Sequence, residues 1–457
     1  MLRQVMTLGL VLGLLMVTLP ARAAVSESEA RRLENDLTPY GAERAGNAAG
    51  TIPAWEGGLT APPPGIGYGP GGHHPDPFAA DTPLFSITAA NMAQYDAQLT
   101  DAHKALLAAY PDSFSMNVYP TRRSCAYPPH VYQAAARNAV SAKMINDGNS
   151  ITGATMAIPF PIPQSAREIL WNHELNYRGF KVQRMSANIA PARGGDFTAE
   201  IGQESQLFSW SDPAISSTED LNNIIYYFLR ESRSPSAIAG NLFLGQMTLD
   251  QVLEDRHTWG YRTGERKVKR LSGLKYDAPA NGANGIRTID GIQIFSGGGD
   301  LYEWESHGKS EKIIPYNTYR YASPDLEYKD IIRKGHLNTD VVRYELHRVW
   351  EIEGKLKPGK SHSIAQRRRF YQDEDSWIIV STALYGAEDK LSRAQEAFVS
   401  NYYEQPICIS GSDVVYDVPG GVFHVMGMRN QEPEVNFNAD IDQDLFTAES
   451  MRRLGIR

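Results

Sequence analysis

The chain has 457 residues, with 45 Lys and Arg against 53 Asp and Glu, a formal net charge of −8. An acidic balance argues against nucleic acid as a partner, because a phosphate-tracking surface needs clustered positive charge. Two cysteines, Cys125 and Cys408, are too few for a zinc ribbon or a disulfide-dense scaffold.

Residues 1–23 read as a cleavable export signal. Arg3 precedes an apolar run from Val5 to Leu19, and Pro20 precedes the small-x-small triplet Ala21-Arg22-Ala23. The run is too short to span a bilayer, and no other segment approaches the ~18 apolar residues of a spanning helix. Cleavage removes Arg3 and Arg22, so −8 becomes −10. In an oxidising compartment one Cys125–Cys408 bridge is the favoured state. Its long loop is worth roughly 5 kcal/mol in the chain-entropy model, and two separate buried thiols are the alternative.

Residues 24–85 read as a Pro/Gly-rich segment, either an extended arm laid over the body or a flexible tether. "APPPGIGYGPGGHHPDP" (61–77) holds six Pro and five Gly, a density no regular element survives. His73 and His74 have no third metal ligand nearby in sequence, so a solvated loop is favoured over a metal site. Residues 86–250 read as mainly helical. "ANMAQYDAQLTDAHKALLAAY" (90–110) ends at Pro111, and "VYQAAARNAVSAKMIN" (131–146) stops at Asp147-Gly148. Ser165 is a candidate N-cap for a short helix before Gly179. Leu221, Ile224, Ile225 and Phe228 suggest a further helix from Thr218 to Glu231.

From about residue 256 the period changes to that of strands. Short runs such as "RHTWGYR", "GIQIFS", "LYEWESHG", "SEKIIPYN", "SWIIVSTALYG" and "GGVFHVMGM" follow one another without helices between them, which demands antiparallel hairpins. Residues 391–401 fit either helix or strand. In 341–353, Val342, Tyr344, Leu346, Trp350 and Ile352 alternate with Arg343, Glu345, His347, Glu351 and Glu353. That pattern predicts one apolar and one polar sheet face. The expectation is a single α+β domain over 24–457, a large curved antiparallel sheet at 256–430 covered by N-terminal helices.

"GKLKPGKS" (354–361) matches the phosphate-cradling P-loop pattern in full. A working P-loop follows a buried apolar strand and opens a helix. Here both flanks alternate with period two, so the stretch reads as a hairpin loop and nucleotide is not expected. "WNHEL" continues to Tyr177 where a zinc protease needs His, and the common serine-nucleophile motifs are absent. Arg343, Glu345 and His347 are the candidate acid–base set. The plainer reading is a solvated ladder of ion pairs with Arg367 and Arg369. Arg348 interrupts the apolar face, so it must be paired, reach an edge or meet an anionic headgroup. "DED" (373–375) reads as a turn between strands, with weak support for calcium. The 23 Tyr and 7 Trp crowd the strands and suit either packing or an enclosed apolar ligand.

The stretches "LTPYGAERAGNAAGTIPAW" (37–55), "PFPIP" (159–163), "WNHELNYRG" (171–179), "GKSEKIIPYNTYR" (308–320) and 336–377 together resemble the "domain of unknown function 1329" family of exported Gram-negative proteins. The resemblance covers nearly the whole mature chain. It implies a fold like the periplasmic lipoprotein carriers: a half-open antiparallel barrel, a helical lid and an apolar cavity for acyl chains. It also implies neighbours, an inner-membrane transporter of the resistance–nodulation–division type and an outer-membrane barrel protein. It supplies no catalytic residues and no cofactor. The expected function is therefore a periplasmic carrier or chaperone of a lipid or acyl chain. Tyr344, Leu346, Trp350 and Ile352 are expected to line the cavity, and Arg348 to meet a headgroup. The alternatives are a hydrolase of an envelope lipid or glycan using Glu345 and His347, or a structural subunit of an envelope complex.

Overall fold

The computed structural model describes residues 24–69 and 71–455. The expected export signal lies outside the described residues. Seventeen strands occur among them. The first eight are β1 (Phe85–Ile87), β2 (Met116–Tyr119), β3 (Lys143–Ile145), β4 (Ser150–Thr152), β5 (Lys181–Ile189), β6 (Glu200–Leu207), β7 (Ile224–Ser234) and β8 (Leu242–Thr248). Then come β9 (His257–Arg262), β10 (Lys267–Arg270), β11 (Tyr302–Pro315), β12 (Tyr344–Leu356), β13 (Arg367–Asp373), β14 (Ile379–Tyr385), β15 (Leu391–Tyr402), β16 (Ile407–Asp417) and β17 (Val422–Met428).

Fifteen of them form one sheet that does not close, in the order β1-β2-β12-β13-β14-β15-β16-β17-β5-β6-β7-β8-β9-β10. β11 pairs with the free side of β12 along its whole length, from Tyr302↔Leu356 to Pro315↔Tyr344. Gly308 opens a bulge in β11 after Ser306 with φ +80°, a conformation that suits glycine. All pairings are antiparallel except β12 with β2. The molecule is thus an α+β protein built on a large curved sheet.

Two predicted elements hold and two hold in part. Of the helix expected over 90–110, Asp101–Ala109 is α-helical, with the Thr100 hydroxyl accepting the His103 N–H, while Met92–Gln98 is a 3-10 segment. The second helix is Pro129–Ser141 and ends before the expected stop, where β3 begins. Ala166–Glu174 starts at Ser165, whose side chain accepts the Glu168 N–H. The P-loop match runs from the end of β12 into the loop before β13, and those two strands pair as a hairpin.

The mainly helical reading of 86–250 is overturned, because β5 to β8 lie inside it. Thr218–Leu221 is a single 3-10 turn, and β7 occupies most of the expected helix. Asn222 and Asn223 both take positive φ and stop any helix there. The following "IIYYFL" is β-branched and aromatic, and its burial alternates, so sheet packing decides its state. Residues 391–402 resolve as β15. "GIQIFS" is not a strand: Gln293 and Ile294 have positive φ.

Both surfaces of β12 to β15 are covered. One core joins Leu106, Leu107, Ile52, Tyr344, Leu346, Phe398 and Tyr416. Another joins Tyr40, Tyr127, Ile169, Ile352, Phe370, Trp377 and Val399. The arm is laid on the body, with Leu33, Leu37, Tyr40 and Ile52 buried. At Gly41, φ is +93° and an added Cβ would stand 2.0 Å from the Pro161 carbonyl oxygen. Only glycine lets the arm turn against "PFPIP" there.

Candidate functional site

The structure does not bring the five expected ligand residues around a cavity. Tyr344 and Ile352 are fully buried, Leu346 and Arg348 nearly so, and Trp350 partly. Tyr344 and Leu346 belong to one core, and Ile352 to the other, with Trp350 packed against it. Tyr344 donates to Glu396 Oε1 at 3.1 Å. The physical reason is cover: the chain's own helices and arm fill the space assigned to a ligand. Two clefts of ≈ 250 and ≈ 280 Å³, counting their open mouths, lie elsewhere. Both are open at the mouth, and neither encloses a whole organic ligand.

Arg348 is a structural ion pair. Its Nε meets Glu374 Oε1 at 2.7 Å, and its Nη2 donates to the carbonyls of Glu43 (3.1 Å) and Ala45 (2.7 Å). Arg123 grips Asp375 through two hydrogen bonds, at 2.9 and 2.7 Å, and donates to the Glu43 carbonyl at 2.8 Å. Lys309 bridges Glu374 (2.7 Å) and Glu43 (3.2 Å) and stands 5.0 Å from the Trp350 ring centre. Trp350 stacks on Trp377 at 6.2 Å, and the Trp377 indole donates to the Tyr40 carbonyl at 2.7 Å. Tyr40 in turn stacks on Tyr127 at 4.2 Å. Polar bonds at residues 40–45 thus hold the arm down over an aromatic cluster. "DED" lies at the turn between β13 and β14, as expected; all three acids are buried, and Glu374 and Asp375 anchor this junction.

The polar side of β12 is buried rather than solvated. Glu345 accepts from Arg343 (2.5 Å), His347 (3.0 Å), Asn317 (2.9 Å) and the Arg122 backbone N–H (2.7 Å). These partners hold its carboxyl below the usual range despite burial. The ladder with Arg367 and Arg369 does form, to Glu353 (3.1 Å) and Glu351 (2.5 Å). Burial beside Asp375 pushes the Asp373 carboxyl up to about 7. Donor atoms of His347, Asp373 and Asp375 lie within 4.8 Å of one another, which is metal-ligand spacing. Asp375 is already occupied by Arg123, whereas Asp373 Oδ1 has no hydrogen-bond partner.

Cys125 and Cys408 are disulfide-bonded, with Cα atoms 5.4 Å apart. His73 and His74 are not a solvated loop. The His74 ring sits between Glu404 and Glu434, the latter at 3.2 Å, and packs edge-on to Tyr402 and Tyr403. Those carboxylates hold its pKa above the usual histidine value against burial. Arg429, Tyr319 and Asn401 line the same cleft. The other cleft lies between Glu174, Asn176 and Arg178, the 208–211 turn and Ile225-Tyr226. Sequence reasoning passed over Arg123, Arg178 and Lys309. Their signal would have been basic side chains in otherwise buried stretches, which is visible only once the strands are placed.

No helix among the described residues is long and apolar enough to cross a membrane. An uncharacterized Pseudomonas aeruginosa protein, PA3922, is 38% identical over 453 residues, covering 98% of both chains. Among solved structures, a DUF1329 family protein from Desulfovibrio piger aligns with TM-score 0.41 and 14% identity over 60% of this chain and 92% of that one. A putative outer membrane lipoprotein-sorting protein domain from Vibrio parahaemolyticus aligns with TM-score 0.43 and 10% identity, over 63% and 97%. Residues 86–452 match the family described as "Protein of unknown function (DUF1329)", and the chain belongs to that family.

Proposed function

We propose that this chain is a periplasmic carrier of a hydrophobic ligand, a lipid or an acyl chain, and that its arm is the cover. The observation that carries this reading is the junction at residues 40–45. A segment without regular structure is fastened by ion pairs and hydrogen bonds over Tyr127, Trp350 and Trp377, and it is not woven into the sheet. Lifting it exposes aromatic surface at a cost of about 1.5–3 kcal/mol per side chain. A ligand that buries the same surface returns that cost. In this state the chain is closed, and ligand takes the place of the arm. The expected export signal and the Cys125–Cys408 bridge favour an oxidising compartment outside the cytosol. Delivery to or from an inner-membrane transporter of the resistance–nodulation–division type and an outer-membrane barrel protein belongs to the same proposal.

The test is mass spectrometry of protein purified from periplasm, together with extraction of lipid from vesicles. Copurified lipid is the expected result, and Trp350→Ala should weaken its retention while the protein still folds. A wild-type protein that carries no lipid and extracts none overturns the reading.

A further inference from the structure

Arg167, Arg178 and Arg256 gather around Glu174 at the C-terminal end of the Ala166–Glu174 helix. Among the described residues, no carboxylate lies within ion-pair distance of any of the three guanidinium groups. Arg178 donates to Asn176 Oδ1 (2.6 Å), the His173 carbonyl (3.0 Å) and Gln293 Oε1, all neutral acceptors. Arg167 donates to the Gly148 carbonyl (2.6 Å), and Arg256 to Gln251 Oε1 and the Ser296 carbonyl, each at 3.0 Å. A cation withdrawn from water without a direct ion pair is costly, and an anion in contact relieves that cost. Arg178 lines the ≈ 250 Å³ cleft, beside Ser211 and Tyr226. The apolar walls are Leu175, Phe208, Trp210 and Ile225.

We infer that this cleft binds a singly charged oxyanion, a phosphate diester or carboxylate, with Arg178 as its principal donor and Tyr226 as a second. Resting on the carrier reading, the inference names the carried ligand as an acidic amphiphile: only its head enters the mouth of the cleft at Arg178, and its chain passes Phe208 to the aromatic cluster under the arm, with which Phe208 shares a core. Glu174 sets the pH dependence. Arg167, Arg178, Arg256, Tyr226 and Tyr276 all face it, yet burial still pushes its carboxyl up to about 7. Protonation there removes the one negative charge at the cleft, so affinity rises as pH falls through about 7.

The experiment has two arms. Full-length protein is titrated with inorganic phosphate, and separately incubated with phosphatidylcholine vesicles with and without phosphatidylglycerol. Phosphate binding and preferential uptake of the acidic lipid are expected. Arg178→Gln should weaken both by about 10- to 100-fold, the worth of hydrogen bonds to a charged group. Tyr226→Phe should weaken them by about 3- to 10-fold, and Glu174→Gln should flatten the pH dependence. An unchanged near-UV circular dichroism spectrum shows that each variant is folded. If phosphate binds and no lipid is taken up, the anion site stands and the carrier reading falls. If neutral and acidic lipids are taken up equally and phosphate does not bind, the carrier reading stands and the anion site is overturned. Folded Arg178→Gln that binds like wild type also overturns it.

Discussion

The sheet has two unlike halves. From β12 to β15 most residues are buried, as in β14, where only Tyr385 is partly exposed. From β8 to β10 burial thins strand by strand, and the last strand, "KVKR", is exposed but for Val268. The first half is covered on both surfaces by helices and arm. The second ends in an edge whose lysines and arginine discourage pairing with another chain. The contrast separates two uses of one architecture: a closed core over which the arm is fastened, and an open, charged margin.

The largest expected effect tests the closed half. Trp377 is fully buried, stacks on Trp350 and holds the arm through its indole N–H. Trp377→Ala should cost about 3–5 kcal/mol of stability, read by urea unfolding. A loss under about 1 kcal/mol would mean that this half is less tightly packed than its burial implies. Arg348→Met comes next. It strips Glu374 of one partner and the arm of two hydrogen bonds, for about 3 kcal/mol. It should also speed proteolysis within 60–69, where the backbone hydrogen bond from Ile66 to the Pro63 carbonyl stays inside the arm. Unchanged cleavage would show that the arm is held elsewhere.

A third effect is a slope with pH. The Asp373 carboxyl rises from 3.8 to about 7 on folding, so between those values the folded chain binds more protons than the unfolded one. Its contribution is therefore most favourable at low pH and declines as pH rises toward about 7. Acids held low, such as Asp290 at about 2, act in the opposite sense: their contribution is complete above about 3.8 and is lost as pH falls toward 2. Comparing urea midpoints at about pH 5 and pH 8, Asp373→Asn should lose less stability on going up than wild type. Equal losses would remove Asp373 from the account. The smallest effect belongs to the open margin: exposed Lys269→Ala should stay within about 0.5 kcal/mol.

The same contrast governs what could be read from sequence. β12, β13 and β14 were legible because long alternating or continuous apolar runs fit no other element. β5 and β6, "KVQRMSANI" and "EIGQESQL", carry polar residues on both parities, and Glu204 is buried only because Arg184 and Arg230 flank it. Partners far along the chain supply that compensation. For the candidate site, residue types pointed to β12 but not to its surroundings. Alternation told which side chains share a face. It did not tell that the polar face is also buried, because that depends on Arg123 and the arm. The tight packing around Tyr344 and Ile352 follows from the same cover.

The strand order has a consequence for how the chain assembles. β5 to β10 run in sequence, each paired with the next, and so do β11 to β17. The two meanders meet at one seam, where Val425 faces Ile189 and Met428 faces Ala187. Hairpins within each meander close short loops and form early, whereas the seam must wait for residues made near the end of the chain. Until β17 arrives, β5 is a bare edge. The molecule must pass through that interval each time one is made, and β5, guarded only by Lys181 and Arg184, is the stretch that has to stay out of trouble while it lasts.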